Sequence, residues 1–214
     1  MRTLYFGNLP PDLPISDFLN YVRGGVVEEI KYLQQKNCVF VTFLEASVAA
    51  AVYIDYQCNP FCIDGYEVRV GWGKPSTLHP SIRNHVLKGA SRNVFIGNLE
   101  PDQVSIDALR LEFSHFGVVD LIKILPEKRI GFVHLCSISS AIKAVHALSE
   151  HPDWSQRRIY YGRDRCSTQG PPPPSLTPTL PEENRTVYIG GIHAEVTTKD
   201  LCDVCFTSFL ICNY

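Results

Sequence analysis

The chain has 214 residues, 45% of them hydrophobic and 20% charged, with a formal net charge of −2. This is the composition of an ordinary globular protein of one or two domains; it excludes wholesale disorder and collagen-like repeats, and no apolar run approaches the roughly 18 residues of a membrane-spanning helix. With so small a net charge, any binding of nucleic acid has to rest on local surface.

Taken in chain order, Met1 and Arg2 lead into a short alternating run, Leu4 to Asn8, which predicts a strand and leaves no room for a signal peptide. Ser16 is the expected cap of a helix with the apolar face Phe18, Leu19 and Val22, ended by Gly24-Gly25. Val27 to Leu33 and Cys38 to Phe43 read as strands joined by Gln34-Gln35-Lys36. Ala46 to Ile54 reads as a helix on Val48, Ala49 and Val52, and Val68 to Trp72 as a last strand after an Asp64-Gly65 turn. Residues 74–92 carry Lys74, Arg83, Lys88 and Arg92 and no acid, a charge of +4, and Ile82 to Leu87 predicts a short helix limited by Pro75 and Pro80.

The same order then returns. Ser105 caps a predicted helix facing inward with Leu109, Phe113 and Phe116; a second helix uses Ile138, Ala141, Ile142, Val145 and Leu148; the last strand lies near Arg158 to Tyr161. Ser167 to Asn184 contains Pro171 to Pro174 in a row and reads as an extended linker.

This return is a true duplication. Arg2-Thr-Leu-Tyr-Phe-Gly-Asn-Leu9, Arg92-Asn-Val-Phe-Ile-Gly-Asn-Leu99 and Arg185-Thr-Val-Tyr-Ile-Gly-Gly-Ile192 begin three similar segments. Gly25 to Phe43 aligns without gaps on Gly117 to Leu135, with nine of nineteen positions identical. The expected fold is α+β: two ferredoxin-like β-α-β-β-α-β domains at 1–74 and 92–166, a basic linker at 75–91, a proline-rich linker at 167–184, and a truncated third copy at 185–214. One strand and one helix cannot bury a core of their own, so that last segment is expected to be mobile or weakly docked.

The hexamers Leu4 to Leu9 and Val94 to Leu99, with the octamers Lys36 to Phe43 and Lys128 to Leu135, resemble the two signatures of the RNA-recognition-motif (RRM) family. Gly71-Trp-Gly-Lys-Pro75, Gly89 to Val94 and Tyr160 to Cys166 are similar to the paired domains of fungal multi-RRM proteins of the negative-regulator-of-differentiation type. The resemblance implies mRNA binding and post-transcriptional control.

Side chains two apart on a strand share a face. With Leu4, Phe6, Val39, Val41 and Phe43 pointing to the helices, the open face carries Tyr5 with Lys36, Cys38, Phe40 and Thr42, and in the second copy Phe95 with Lys128, Ile130, Phe132 and His134. An aromatic ring on a rigid strand stacks an unpaired base for about 1–3 kcal/mol. The family usually has a third ring at octamer position three; here it is Cys38 or Ile130, so two stacked bases per domain are expected, with Tyr160 adding to the second. Lys31 and Lys123 hold equivalent outward positions and, with Arg158, are expected to contact phosphate, as are other basic residues near the last strand such as Arg157, Arg163 and Arg165. Asn8 and Asn98 of the hexamers complete the expected RNA-binding set.

No cofactor, metal or small-molecule substrate is expected. Eight cysteines include a lone Cys202-x-x-Cys205 with no second pair to complete a zinc site. The loop Leu9-Pro10-Pro11-Asp12 lacks the glycines and basic residue of a phosphate cradle, so catalysis is not expected. The expected partners are single-stranded RNA and other ribonucleoprotein components, and reduced thiols point to the cytoplasm, with nuclear passage open. The competing reading is a protein-binding RRM acting as an adaptor in a ribonucleoprotein complex.

Overall fold

The inward-facing strand residues of both repeats are large and apolar, and burying them fixes the architecture. The computed structural model describes residues 1–100 and 104–167. The first repeat forms β1 (Thr3–Gly7), α1 (Ile15–Phe18), β2 (Val27–Leu33), β3 (Cys38–Phe43), α2 (Ala46–Cys58), a small hairpin of β4 (Cys62–Ile63) and β5 (Tyr66–Glu67), and β6 (Arg69–Trp72). A linker helix α3 (Pro80–Leu87) follows. The second repeat forms β7 (Asn93–Gly97), α4 (Ile106–Ser114), β8 (Val119–Leu125), β9 (Ile130–Leu135), α5 (Ile138–Glu150) and β10 (Arg158–Tyr161). The two four-stranded sheets have the orders β2-β3-β1-β6 and β10-β7-β9-β8, and all their neighbouring strands are antiparallel. The expected third copy, and the proline-rich linker from residue 168 onward, lie outside the described residues.

Each sheet packs its inner face on its helices. Leu4, Phe6, Val39, Val41 and Phe43 meet Phe18, Leu19, Val22 and Ala49. In the second repeat Val94, Ile96, Val133 and Leu135 meet Leu109, Phe113, Ala141 and Leu148. Both strand pairs β2-β3 and β8-β9 are joined by a short 3-10 turn ending in a left-handed residue, Asn37 or Arg129. Among the described residues no helix is long and apolar enough to cross a membrane.

Several local expectations need correction. Ser16 is not a cap: Pro14 occupies that position without a side-chain bond, and the Ser16 hydroxyl donates to Asp17 inside a helix of four residues. Leu19 and Val22 are buried all the same, beyond the helix end. The helix α2 runs on to Cys58, and the Asp64-Gly65 turn closes the β4-β5 hairpin instead of leading directly into β6. The linker helix begins two residues before the expected Ile82, with Pro80 marking its N-terminal limit as the first helical residue, where its missing N–H costs nothing, and His79 accepts from the Ser81 N–H. In α5 the buried stripe includes Ala144, while Ile142 is only half-buried.

Two of the four linker cations are paired with acids outside the linker. Arg83 pairs with Glu45 at 2.8 Å. Arg92 is fully buried and binds both oxygens of Asp164, at 2.8 and 2.7 Å, while its Nη1 donates to the Leu135 carbonyl at 3.1 Å. Burial works against its charge, but Asp164 foremost outweighs that and holds its pKa above the ordinary value. Arg2 repeats the arrangement in a more open form, donating to Glu28 at 2.5 Å and to the Phe43 carbonyl at 2.8 Å.

The two repeats meet through the end of the second. Arg165 donates to Asn20 at 3.0 Å and to the Ser16 carbonyl at 2.9 Å on the first repeat, and to Asp120 at 2.7 Å on the second. Cys136 and Cys166 enter the core of the first repeat, and the Ile30 N–H of edge strand β2 donates to the Cys136 carbonyl at 2.8 Å. Arg165 is thereby largely withdrawn from the phosphate role expected of it.

Replacing Arg92 by Leu removes the partner of Asp164, while Asp120 keeps Arg165 at 2.7 Å and loses only the more distant Arg92 at 4.0 Å. Urea denaturation is expected to show a loss of about 3–5 kcal/mol, the usual cost of stranding a buried charge. A loss below about 1 kcal/mol, the range of an exposed ion pair, would show that this network is not a structural tie.

Candidate nucleic-acid interface

Strand register turns single residues into rows. Across the first sheet Lys31 pairs with Phe40, Phe40 with Tyr5, and Tyr5 with Gly71. Across the second, Lys123 pairs with Phe132, Phe132 with Phe95, and Phe95 with Tyr160. Each row is a lysine followed by two adjacent rings; the fourth position is empty in the first repeat and aromatic in the second. Tyr160 is 60% exposed.

The rings are neighbours but not coplanar. Tyr5 and Phe40 have centroids 5.4 Å apart at 54°, Phe95 and Phe132 5.6 Å apart at 61°. All four are half-buried, so each presents part of a face to solvent. The glycine two residues further along β1 or β7 is what lets the first ring of each pair lie along its strand. A Cβ at Gly7 would overlap the Tyr5 ring, and one at Gly97 would lie 3.2 Å from Phe95 and from Arg158 Nε. A row parallel to the rings therefore runs through those glycines: Arg158 pairs with Gly97 and Gly97 with Ile130. In the first repeat Arg69 pairs with Gly7. Arg69 is a residue that sequence reasoning missed; it sits two before Gly71 on the last strand, and alternation alone puts it on the same face.

The remaining candidates sit around these rows. Lys31 and Lys123 are exposed, and Lys31 lies 3.1 Å from Glu29 on its own strand. Lys36, in the predicted joining segment, and its counterpart Lys128 end the 3-10 turns before β3 and β9 and are exposed at the rim. Asn8 and Asn98 follow β1 and β7 in the left-handed region, which asparagine tolerates. Their amides are already used, donating to the Glu67 carbonyl at 2.9 Å and the Gln156 carbonyl at 3.1 Å, which ties each first strand to the segment before its last strand. Arg157 is held over Trp154 at 4.4 Å.

The other flank of each open face is closed. Thr42 and His134 are buried there, although strand alternation had pointed them to solvent; Cys38, at the other end of β3 on the Gly7 side of the rings, is buried against the same expectation, only 3% exposed. In the first repeat Thr42 shares a hydrogen bond with Thr3 at 3.0 Å, and Thr3 another with Ser76 at 3.2 Å, because the chain after β6 folds back over the sheet end. In the second, Asn93 donates to the Arg163 carbonyl at 2.9 Å, and Gly162 passes so close that a Cβ there would strike the Asn93 amide. Burial, with the cations Arg165 and Arg92 against the counter-pull of Asp164, pushes the His134 imidazole down to about 4. The same burial pushes the Cys136 thiol up to about 12 and Cys166 up to about 11, so neither is a thiolate at neutral pH. Among the described residues no group of three or more His, Cys, Asp and Glu is arranged to hold a metal ion.

Residues 94–157 match the family model described as the RNA recognition motif. The chain is 39% identical over 172 residues to RNA-binding protein MRN1 of Saccharomyces cerevisiae, a match covering 78% of this chain and 28% of that protein. It is 34% identical over 222 residues to Meiotically up-regulated gene 24 protein of Schizosaccharomyces pombe, covering 95% of this chain and 34% of that one. To RNA-binding protein NAB6 of Saccharomyces cerevisiae it is 33% identical over 209 residues, covering 77% of this chain and 18% of that protein. The chain thus spans about a third or less of the length of each of these relatives.

The closed flank gives a pH test. The ordinary histidine takes up its proton near 6.5 and His134 in the folded chain only near 4. Between these values the unfolded state binds more protons, so stability falls as the pH is lowered through the window, by an amount of order 3 kcal/mol. Asp120 opposes this: burial holds its carboxyl above the usual range despite Arg165 and Arg92, so the folded state takes that proton first and regains stability on acidification. His134→Phe removes an imidazole whose Nδ1 is buried without a hydrogen-bond partner among the described residues. It is expected to reduce the acid-side fall in urea stability between pH 6.5 and 4; an unchanged slope would exclude His134 as its source.

Proposed function

The chain is an RRM-containing protein related to fungal RNA-binding proteins, and from that premise we propose that it binds single-stranded RNA on two open sheet faces, mRNA being the biological ligand and post-transcriptional control the role. The observation that carries this reading is the pair of cross-strand rows, Lys31–Phe40–Tyr5 and Lys123–Phe132–Phe95–Tyr160. Rings on a rigid sheet stack bases without regard to sequence, and an ammonium at the end of the row meets the phosphate that follows. Two RRM domains, near 1–74 and 92–166, each supply one such row.

The rows are unequal. The second offers three rings and the first two, with a gap at Gly71. We therefore assign the larger share of affinity to the second repeat. Arg69 and Arg158, flanking the glycines, are suited to a neighbouring phosphate or base edge in both.

The test is equilibrium binding of the chain to a randomised single-stranded RNA pool at two salt concentrations. The Phe40→Ala plus Phe132→Ala variant is expected to lose about 2–6 kcal/mol, one stacked base in each repeat. Affinity is expected to fall with salt as phosphate contacts release counterions. Equal binding by the variant removes the rows as the site and leaves the adaptor reading, in which the partner is a protein.

The gap itself can be filled. A Cβ at Gly71 would sit in ordinary contact with Tyr5, 3.7 Å from Cδ1. Gly71→Tyr is expected to tighten RNA binding by about 1 kcal/mol or more through a third stacked base; no gain would mean that the last strand of the first repeat lies outside the RNA path.

A further inference from the structure

The contacts between the repeats involve the same strands that carry the rows. Strand β2 holds Lys31, and the preceding residue, Ile30, gives its N–H to the Cys136 carbonyl of the second repeat. Glu29 bridges to Ser137 beside it. Strand β10 holds Tyr160 and Arg158, and the chain leaving it turns through Asp164, Arg165 and Cys166. Asp164 is locked by Arg92, and its Oδ1 also accepts the Cys166 N–H at 2.9 Å. Cys166 is fully buried in the core of the first repeat, with Sγ 3.9 Å from the Leu19 carbonyl. Between them Arg165 reaches both repeats, to Asn20 and the Ser16 carbonyl on one side and to the fully buried Asp120 carboxylate on the other. The linker adds a third tie, with Arg83 of α3 on Glu45 of the first repeat and α3 packed near α5 of the second.

We propose that this clamp makes the two open faces one rigid surface, so that Arg165, Asp120 and Asn20 are positioning residues that set the number of nucleotides allowed between two recognised RNA elements. The inference rests on the RNA-binding reading above and adds a spacing rule to it. Two sites on a flexible tether gain from a shared ligand through effective concentration, which changes only slowly with spacer length. Two sites held at one distance and angle gain only when the RNA between them spans that distance, and the gain disappears on either side. The clamp does not touch the rings, so it alters spacing without altering either row.

The experiment uses the whole chain and RNAs carrying either one short element selected from the random pool, or two such elements joined by abasic spacers of increasing length. For the unaltered protein, affinity is expected to pass through a narrow maximum with spacer length. Asn20→Arg sets a second cation against Arg165 from an exposed position on the first repeat, so it opens the clamp without disturbing either core. At the optimal spacer it is expected to cost about tenfold or more, a fraction of the roughly 10²–10⁴-fold that linked binding can add, while single-element RNAs bind as before. Arg165→Ala should act in the same direction; because it also leaves buried Asp120 short of a cation, Asn20→Arg decides the matter. Residual dipolar couplings supply a readout without RNA: one alignment tensor should fit the amides of both sheets in the unaltered chain and fail to do so in Asn20→Arg.

Single-element binding combined with an affinity that does not depend on spacer length overturns the spacing rule and leaves the RNA reading intact. Separate alignment tensors in the unaltered chain overturn the clamp itself. If even single-element RNAs fail to bind, the RNA reading falls and the spacing rule falls with it.

Discussion

A guanidinium with no access to water has to find acceptors within the protein, and that constraint at Arg92 organises much of this molecule. The residue stands immediately before the first strand of the second repeat, where Arg2 stands in the first. Arg2 manages with Glu28, one backbone carbonyl at 2.8 Å and an approach to Ser76. Arg92 is buried more deeply and takes both oxygens of Asp164. A bidentate arginine–carboxylate pair is strong and directional, so the chain after β10 has to return across the sheet end to deliver Asp164. Once there, it brings Arg165 to Asp120 and carries Cys166 into the neighbouring repeat. The inter-repeat contact follows from satisfying one buried charge.

The open faces obey a different constraint. A ring can lie along its strand only where the residue two positions on has no side chain, and Gly7 and Gly97 provide that. The glycine of the hexamer is thus as much a part of the site as the ring. Beside the rings, the chain leaving each sheet folds back and closes one flank, so the octamer positions nearest that flank, Thr42 and His134, become interior. What remains open is a band of lysine, the row of rings and the flanking arginine.

The duplication makes the differences between the copies informative. Glu28 and Asp120 stand at equivalent positions, as do Glu45 and Ser137. Ser137 caps its helix and bridges to the edge strand of the first repeat, whereas Glu45 leaves its helix uncapped and pairs with the linker. The same location on the fold therefore serves as a docking point in one copy and as an anchor for the linker helix in the other.

Much of this was legible in the sequence. Strands Val27–Leu33, Cys38–Phe43 and Arg158–Tyr161 were readable to the residue from alternation, and the rings Tyr5, Phe40, Phe95 and Phe132 from the same period of two, because strand geometry is local. The helix caps were less certain, since Ser16 and Ser105 look alike in sequence and only Ser105 finds a free N–H to accept. The pairing of the linker arginines Arg83 and Arg92 was not legible because a count of cations carries no information about acids far along the chain. Arg92 and Asp164 are 72 residues apart, and Arg165 and Ser16 are 149 apart. The sequence by itself determined the repeats, their strands and which rings share a face. Only the tertiary structure decided which charges are buried, which flank of each face is closed and how the repeats join, because those depend on contacts between residues that no local pattern links.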